Sequence, residues 1–312
     1  MMRGRSCRGG GAGFRVGEVA LVAAQYATDH RRGTLLAASG VLVVSFDALL
    51  VRLAEASSGD VVFLRGLFIA IALTFMLRLL RGRWTWTALR EGGRPAWTMS
   101  MTMGMTQILF VVAVMQTKAA NVVIILTAAP LFAAVLSGVF LGEWVRMRTW
   151  VAMGLCIAGI VLVFGGSVSL GNWAGDAVAL LCALIVAGNF TQLRRAPQVN
   201  RLAVVSAGGL FACLVSIPFA APFALSEQTL LVVSVMGLIQ MPLALVMMTE
   251  ATRHMPSAEV SLFLVLEAIF GSFWVWLVLG EEPPGATLIG GAIVIGTLVV
   301  HSWVALRGER VA

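Results

Sequence analysis

Residues 118–143 read KAANVVIILTAAPLFAAVLSGVFLGE, and the 24 residues between Lys118 and Glu143 carry no charge. A helix crossing about 30 Å of hydrocarbon needs roughly 20 apolar residues, since its amides meet no water there and must bond internally. The run supplies such a helix as Ala119–Leu141, with Pro130 near its middle. Segments that match or approach this pattern recur along the chain: Gly33–Leu53, Val61–Leu80, Pro95–Gln116, Ala119–Leu141, Thr149–Phe164, Trp173–Phe190, Leu202–Ala221, Gln228–Ala251, Ser257–Leu279 and Ala286–Leu306. The connections are short, so no soluble domain is inserted and consecutive helices are antiparallel neighbours. The expected fold is an all-α integral membrane protein of ten transmembrane helices.

Composition agrees. Of 312 residues, 59% are hydrophobic and 12% charged, with a mean hydropathy of +0.94, whereas soluble domains carry about 25% charged residues. A net charge of +7 invites a nucleic-acid reading, but the basic residues are scattered between apolar runs and form no patch on a polar face. Nucleic acid is therefore excluded as a partner; the lipid bilayer and a small-molecule substrate remain. The charges report topology instead. Nineteen of the 22 Lys and Arg residues lie in the N-terminal segment (Arg3 to Arg32), in alternate connections (Arg78 to Arg94, Arg146 and Arg148, Arg194 to Arg201, Arg253) and at the C-terminus (Arg307, Arg310). Short cytoplasmic loops are enriched in positive charge, which places both termini in the cytoplasm. Residues 1–32 read as a disordered cytoplasmic tail, or an over-extended start, and not as a signal peptide. Their apolar piece Val19–Ala24 is short, and Asp29-His30-Arg31-Arg32 leads directly into the first span. Residues 307–312 form the C-terminal tail.

Cys7, Cys156, Cys182 and Cys213 are isolated, and His30, His254 and His301 lie at or near the ends of apolar runs. Neither a metal set nor a cofactor site is expected. There is no His-Glu-x-x-His, Gly-x-Ser-x-Gly or Gly-x-x-x-x-Gly-Lys-Ser/Thr motif. The chain is read as a non-enzyme without catalytic residues, driven by a solute gradient, exchange or protons and not by ATP.

Laid on itself with an offset of 138 residues, the chain superposes Leu141-Gly142-Glu143 on Leu279-Gly280-Glu281, Thr149 on Thr287, and Gly104 on Pro242. Residues 33–166 and 173–306 thus read as two copies of one five-helix unit. Five being odd, the second copy enters from the opposite side, which gives an inverted repeat suited to alternating access. The small pairs Gly154/Ala158 and Ala292/Gly296 also superpose. Packing within one chain is their default reading, a homodimer the alternative.

The run from Lys118 through Pro130 to Leu141-Gly142-Glu143, followed by Gly154 and Gly159-Ile-Val-Leu-Val, resembles the EamA-type permeases of the drug/metabolite transporter superfamily. Ser257 to Phe270 and Leu279-Gly280-Glu281-Glu282 repeat the pattern, with Ala268 where Pro130 would recur. The resemblance implies a ten-helix inner-membrane carrier whose central cavity is lined chiefly by helices 1, 3, 4, 6, 8 and 9, with 5 and 10 peripheral.

Ionisable groups inside a membrane are costly, which makes them functional candidates. Glu267 lies about 15 Å into the ninth span, as a ligand for a substrate amine, a proton carrier, or a packing carboxyl. Asp47, about 21 Å along the first span, and Arg65, about 6 Å inside the second, have depths that permit an ion pair, either a gate or a permanent bridge. Arg52 and Glu55 are expected to snorkel to headgroups, and Glu143 and Glu281 to cap the helices that follow them. Glu250 and Glu259 read as a solvated flank. Ser45, Gln107, Thr127, Asn189 and Gln240 are the polar candidates for a solute. Gly104, Pro130 and Pro242 are the hinge candidates. The expected function is a secondary transporter exporting amino acids or related amphipathic metabolites. The alternatives are an uptake or exchange carrier for a nucleoside-like or sulfonium metabolite and, from another class, a membrane-embedded enzyme.

Overall fold

The computed structural model describes residues 32–141, 147–169, 173–221, 225–254 and 257–309, all in helices and their connections, without a strand. We number the helices α1 (Arg32–Leu53), α2 (Ser58–Arg81), α3 (Thr85–Gln116), α4 (Ala119–Thr127 continued by Ala129–Leu141), α5 (Met147–Ser169), α6 (Trp173–Arg195) and α7 (Arg201–Ser216). α8 comprises Glu227–Ser234, a π-helical Val235–Gln240 and Met241–His254; α9 is Ser257–Leu279 and α10 Gly285–Glu309. Among the described residues six helices are long and apolar enough to cross a bilayer, α1, α2, α3, α6, α7 and α8, while α4, α5, α9 and α10 contain shorter apolar stretches. Phe75, Val139, Leu231 and Leu277 are exposed by 60% or more on the outside of the bundle. Apolar side chains turned outward on so many helices need hydrocarbon around them.

Several boundaries differ from the sequence reading. α3 begins at Thr85 instead of Pro95, and it is divided at Gly93, whose φ of 61° and ψ of −154° only glycine adopts without strain. α10 continues to Glu309, into the segment read as a tail. The N-terminal tail to residue 31 and Glu143 lie outside the described residues.

Glycines set two close crossings. A Cβ on Gly66 of α2 would lie 2.5 Å from the Gly209 carbonyl of α7, and one on Gly209 would lie 2.7 Å from the Gly66 carbonyl. Further along the same antiparallel contact Ser206 donates to the Ala70 carbonyl at 3.0 Å. α5 and α10 repeat the arrangement: a Cβ on Gly159 would lie 2.8 Å from the Gly290 carbonyl, and one on Gly290 2.5 Å from the Gly159 carbonyl. There the Cys156 thiol lies 3.9 Å from the Val294 carbonyl. With no hydrophobic drive between helices in lipid, such close backbone approach supplies the packing. Gly104 belongs to this class as well. α3 runs unbroken through it, and its Cβ would meet the Gly208 carbonyl at 2.5 Å, so the interruption of α3 falls at Gly93. By contrast, Gly154, Ala158, Ala292 and Gly296 are exposed. Intramolecular packing of α5 and α10 uses the opposite faces.

Gly66→Leu is therefore expected to lower the melting temperature in detergent by about 5 °C or more, from overpacking. Gly154→Leu, with nothing within 4 Å of its Cβ, is expected to leave melting unchanged; equal effects of the two would contradict this packing.

Candidate functional site

Three spans lose regular α geometry toward the centre of the bundle, each for a local reason. In α1 the helix turns at Ser45 and Phe46 and restarts at Asp47; Phe46 has ψ −8°. Ser45 Oγ donates to the Leu42 carbonyl at 2.8 Å, the local side-chain bond by which serine competes with a helix ladder. The two carbonyls before the turn, Val43 and Val44, accept from Gln240 Nε2 at 3.2 and 3.4 Å. α4 breaks at Ala128, two residues before Pro130, which offers no N–H to the Leu126 carbonyl. α8 widens to a π-helix over Val235–Gln240, just ahead of Pro242, as π-bulges often do at functional sites.

Between these breaks lies a cavity of about 220 Å³. Ser45, Asp47, Arg65, Gln107, Thr127 and Glu267 all line it. Its walls come from α1, α3, α4, α6, α8 and α9, as the resemblance implies, with Arg65 added from α2 and, among the described residues, nothing from α5 or α10. Phe110, Leu126, Val186, Phe190 and Met241 supply apolar surface.

At its centre Arg65 Nη2 donates to Asp47 Oδ2 at 2.8 Å, with the two side chains only 2% and 7% exposed. The guanidinium lies over the Phe110 ring, 5.6 Å from its centroid. The pair is incompletely satisfied: Asp47 Oδ1 and Arg65 Nε and Nη1 are buried without a hydrogen-bond partner, as is Gln107 Oε1. A buried donor or acceptor left unpaired costs about 1–3 kcal/mol, more when charged. A bound solute, or water, is what would satisfy them. Glu267 reaches the same cavity, so the two carboxylates that depth along the chain had separated share one space.

Asn189 and Gln240 stand one layer behind. Asn189 Nδ2 donates to Thr106 Oγ1, a cavity residue, at 3.0 Å, leaving Asn189 Oδ1 without a partner. Ser45 Oγ accepts from Trp274 Nε1 at 3.0 Å, and Trp274 stacks on Phe46 with centroids 4.7 Å apart. Thr127 Oγ1 donates back to the Ile124 carbonyl at 2.6 Å. Pro130 continues α4 beside the cavity residue Ala129. Glu250 is half-buried near the end of α8, and the side chain of Glu259 lies outside the described residues.

A second polar cluster, unforeseen from sequence, lies at the end of the bundle away from the Arg-rich connections. Buried Asp176 accepts from Thr117 Oγ1 at 2.6 Å and from Asn121 Nδ2 at 3.3 and 3.2 Å, and Thr287 Oγ1 donates to Asn121 Oδ1 at 2.6 Å. It ties α4, α6 and α10 together. Beside it Arg52 Nη2 donates to the Thr117 carbonyl at 2.5 Å and lies 3.4 Å from Glu281 Oε1, while Lys118 Nζ lies 3.7 Å from the same oxygen. Arg52 thus does not snorkel outward and Glu281 faces two cations, because opposite charges at one end of the bundle meet each other. The weak sequence signal was Asp176 opening α6 with Asn121 opening α4.

Removing one member of a buried ion pair costs about 3–5 kcal/mol, whereas removing both leaves no orphan charge. Asp47→Asn and Arg65→Gln are each expected to destabilise the protein strongly, and the double variant to recover most of the loss, in thermal melts followed by tryptophan fluorescence. Additive losses in the double variant would contradict a direct pair.

A family model, the EamA-like transporter family, matches the chain twice, over residues 31–165 and 173–303. The pseudopaline exporter CntI of Pseudomonas aeruginosa strain PAO1, and its counterpart in strain UCBPP-PA14, are each 26% identical over 282 residues, 87% of this chain and 96% of theirs. A crystal structure at 20% identity superposes with a TM-score of 0.60 over 88% of this chain and 98% of its own, which bears on fold alone. With two family matches spanning nearly the whole helical region, the chain belongs to the EamA-like transporter family, of the drug/metabolite transporter type.

Proposed function

We propose that this transporter exports small metabolites bearing both an amine and a carboxylate, such as amino acids, across the inner membrane by alternating access. The observation that carries the reading is the cavity itself. Arg65 Nε and Nη1 offer donors to a carboxylate, and Asp47 Oδ1 and Glu267 offer charge to an ammonium. Charged pairing of this kind is strong in a dry site and needs little further structure. The relatives named as pseudopaline exporters support metabolite export as the direction.

Two inverted five-helix halves, 33–166 and 173–306, are supported by the double family match and by the antiparallel crossings. Cys156 and Val294, which meet where α5 crosses α10, are 138 residues apart, the same offset that superposes the halves. In this reading Pro130 and Pro242 flex the breaks of α4 and α8, both termini are cytoplasmic, and the Asp176 cluster is the closed outer side. Asn121 lies about 9 Å along α4 from Thr127, so one layer of polar contacts separates the cavity from that side.

In proteoliposomes the wild type is expected to show saturable counterflow for at least one of a panel of amino acids, and Glu267→Gln to reduce it at least about tenfold while melting normally. Saturable flux for none of the panel by folded protein would overturn the reading. For the closed side, Asp176→Asn is expected to raise labelling of a Thr127→Cys reporter by an impermeant maleimide added outside, in a background free of native cysteines; an unchanged rate would remove the cluster's closing role.

A further inference from the structure

The sequence between α2 and the membrane part of α3, Arg81 to Arg94, is more than a basic connection. Gly93 turns the chain, so that Thr85 to Gly92 forms a separate helix of about two turns ahead of Pro95. Three tryptophans gather there. Trp86 and Trp97 meet edge to face at 5.2 Å, and with Trp84 they line a groove of about 510 Å³ between α2, α3 and α7. The groove runs down α7 from Ser206 to Leu214, about 12 Å of helix. Its few hydroxyls are already engaged: Thr74 Oγ1 lies 2.8 Å from both Thr85 Oγ1 and Ser206 Oγ. What remains open to an occupant is apolar wall, suited to a hydrocarbon chain.

The mouth is positively charged. The Arg78 guanidinium lies over the Trp84 ring at 5.6 Å and that of Arg90 over Trp86 at 4.8 Å. Arg78 Nη1 donates to the Gly82 carbonyl at 2.5 Å, and a cation held face-on to a ring keeps the rest of its N–H edge for an anion. Of the other arginines of this connection, Arg81 and Arg94 are exposed and Arg83 is paired with Glu91, so the two cations set against the groove's tryptophans stand in a stretch of net positive charge.

We propose that this groove is a binding site for one anionic phospholipid of the cytoplasmic leaflet, its phosphate between Arg78 and Arg90 and an acyl chain between α2, α3 and α7. The leaflet rests on the orientation proposed above; the charge and shape complementarity do not. The groove is apart from the solute cavity, with no lining residue in common. Because the glycine-packed α2 and α7 form two of its walls, an occupied groove clamps the crossing between Gly66 and Gly209 on its lipid side.

Native mass spectrometry of the full chain in micelles containing equal amounts of phosphatidylglycerol and phosphatidylcholine tests this. The wild type should retain one phosphatidylglycerol in preference to phosphatidylcholine. Arg78→Gln/Arg90→Gln should lose that preference by about tenfold or more. Ala207→Phe, which fills the groove wall, should lose the retained lipid, and Arg195→Gln, on the same end of the bundle, should keep it. Retention that survives both the double substitution and Ala207→Phe in monodisperse protein, or falls equally in Arg195→Gln, would overturn the site, as would a second copy of the chain occupying the groove. Counterflow of amino acids reads the solute cavity separately, so loss of lipid with intact counterflow distinguishes this site from the proposed transport function.

Discussion

A buried ion pair between Asp47 and Arg65 is the constraint around which the bundle is arranged. Two charges inside a membrane protein demand either each other or a polar cavity, and here they have both: one bond at 2.8 Å and three polar atoms left over. Placing Asp47 there depends on interrupting α1 at Ser45 and Phe46. The interruption frees the carbonyls of Val43 and Val44, and these are taken by Gln240, which stands where α8 is widened to a π-helix. The break in one helix and the distortion in another are thus one construction. Trp274 completes it by bonding Ser45 and stacking on Phe46 from α9.

Distortion of this sort is tolerated in hydrocarbon only where backbone lines protein or a cavity. The interruptions of α1, α4 and α8 meet that condition, since residues beside each of them line the cavity. The long regular helices α2 and α7 pack against each other through glycine and carry no such break. The bundle thus sets glycine-packed regular helices beside interrupted ones that line the cavity.

Much of the helical architecture was legible in the chain because apolar run length reports directly on the solvent around a helix. The depths of Asp47 and Arg65 sufficed to anticipate their pairing, and Glu267, Gln107 and Thr127, singled out as polar groups in mid-span, line the same cavity. The interruption of α1 was not legible: no glycine or proline marks it, and a Ser-Phe-Asp step reads as ordinary helix until Gln240 and Trp274 arrive from far along the chain. Gly104 was misread for the converse reason. A glycine signals either a break or a close approach, and only the neighbour Gly208 decides which. The Asp176 cluster likewise joins helix ends that no local pattern relates.

The central claim is that the unsatisfied polar atoms of Asp47 and Arg65 are completed by a solute. Melting of purified protein across a panel of amino acids and related amino carboxylates measures this directly, with the Asp47→Asn/Arg65→Gln double variant as reference. The account predicts concentration-dependent stabilisation of the wild type by at least one of them, absent from the double variant. Stabilisation of both proteins to the same extent, or of neither by any solute, would contradict it.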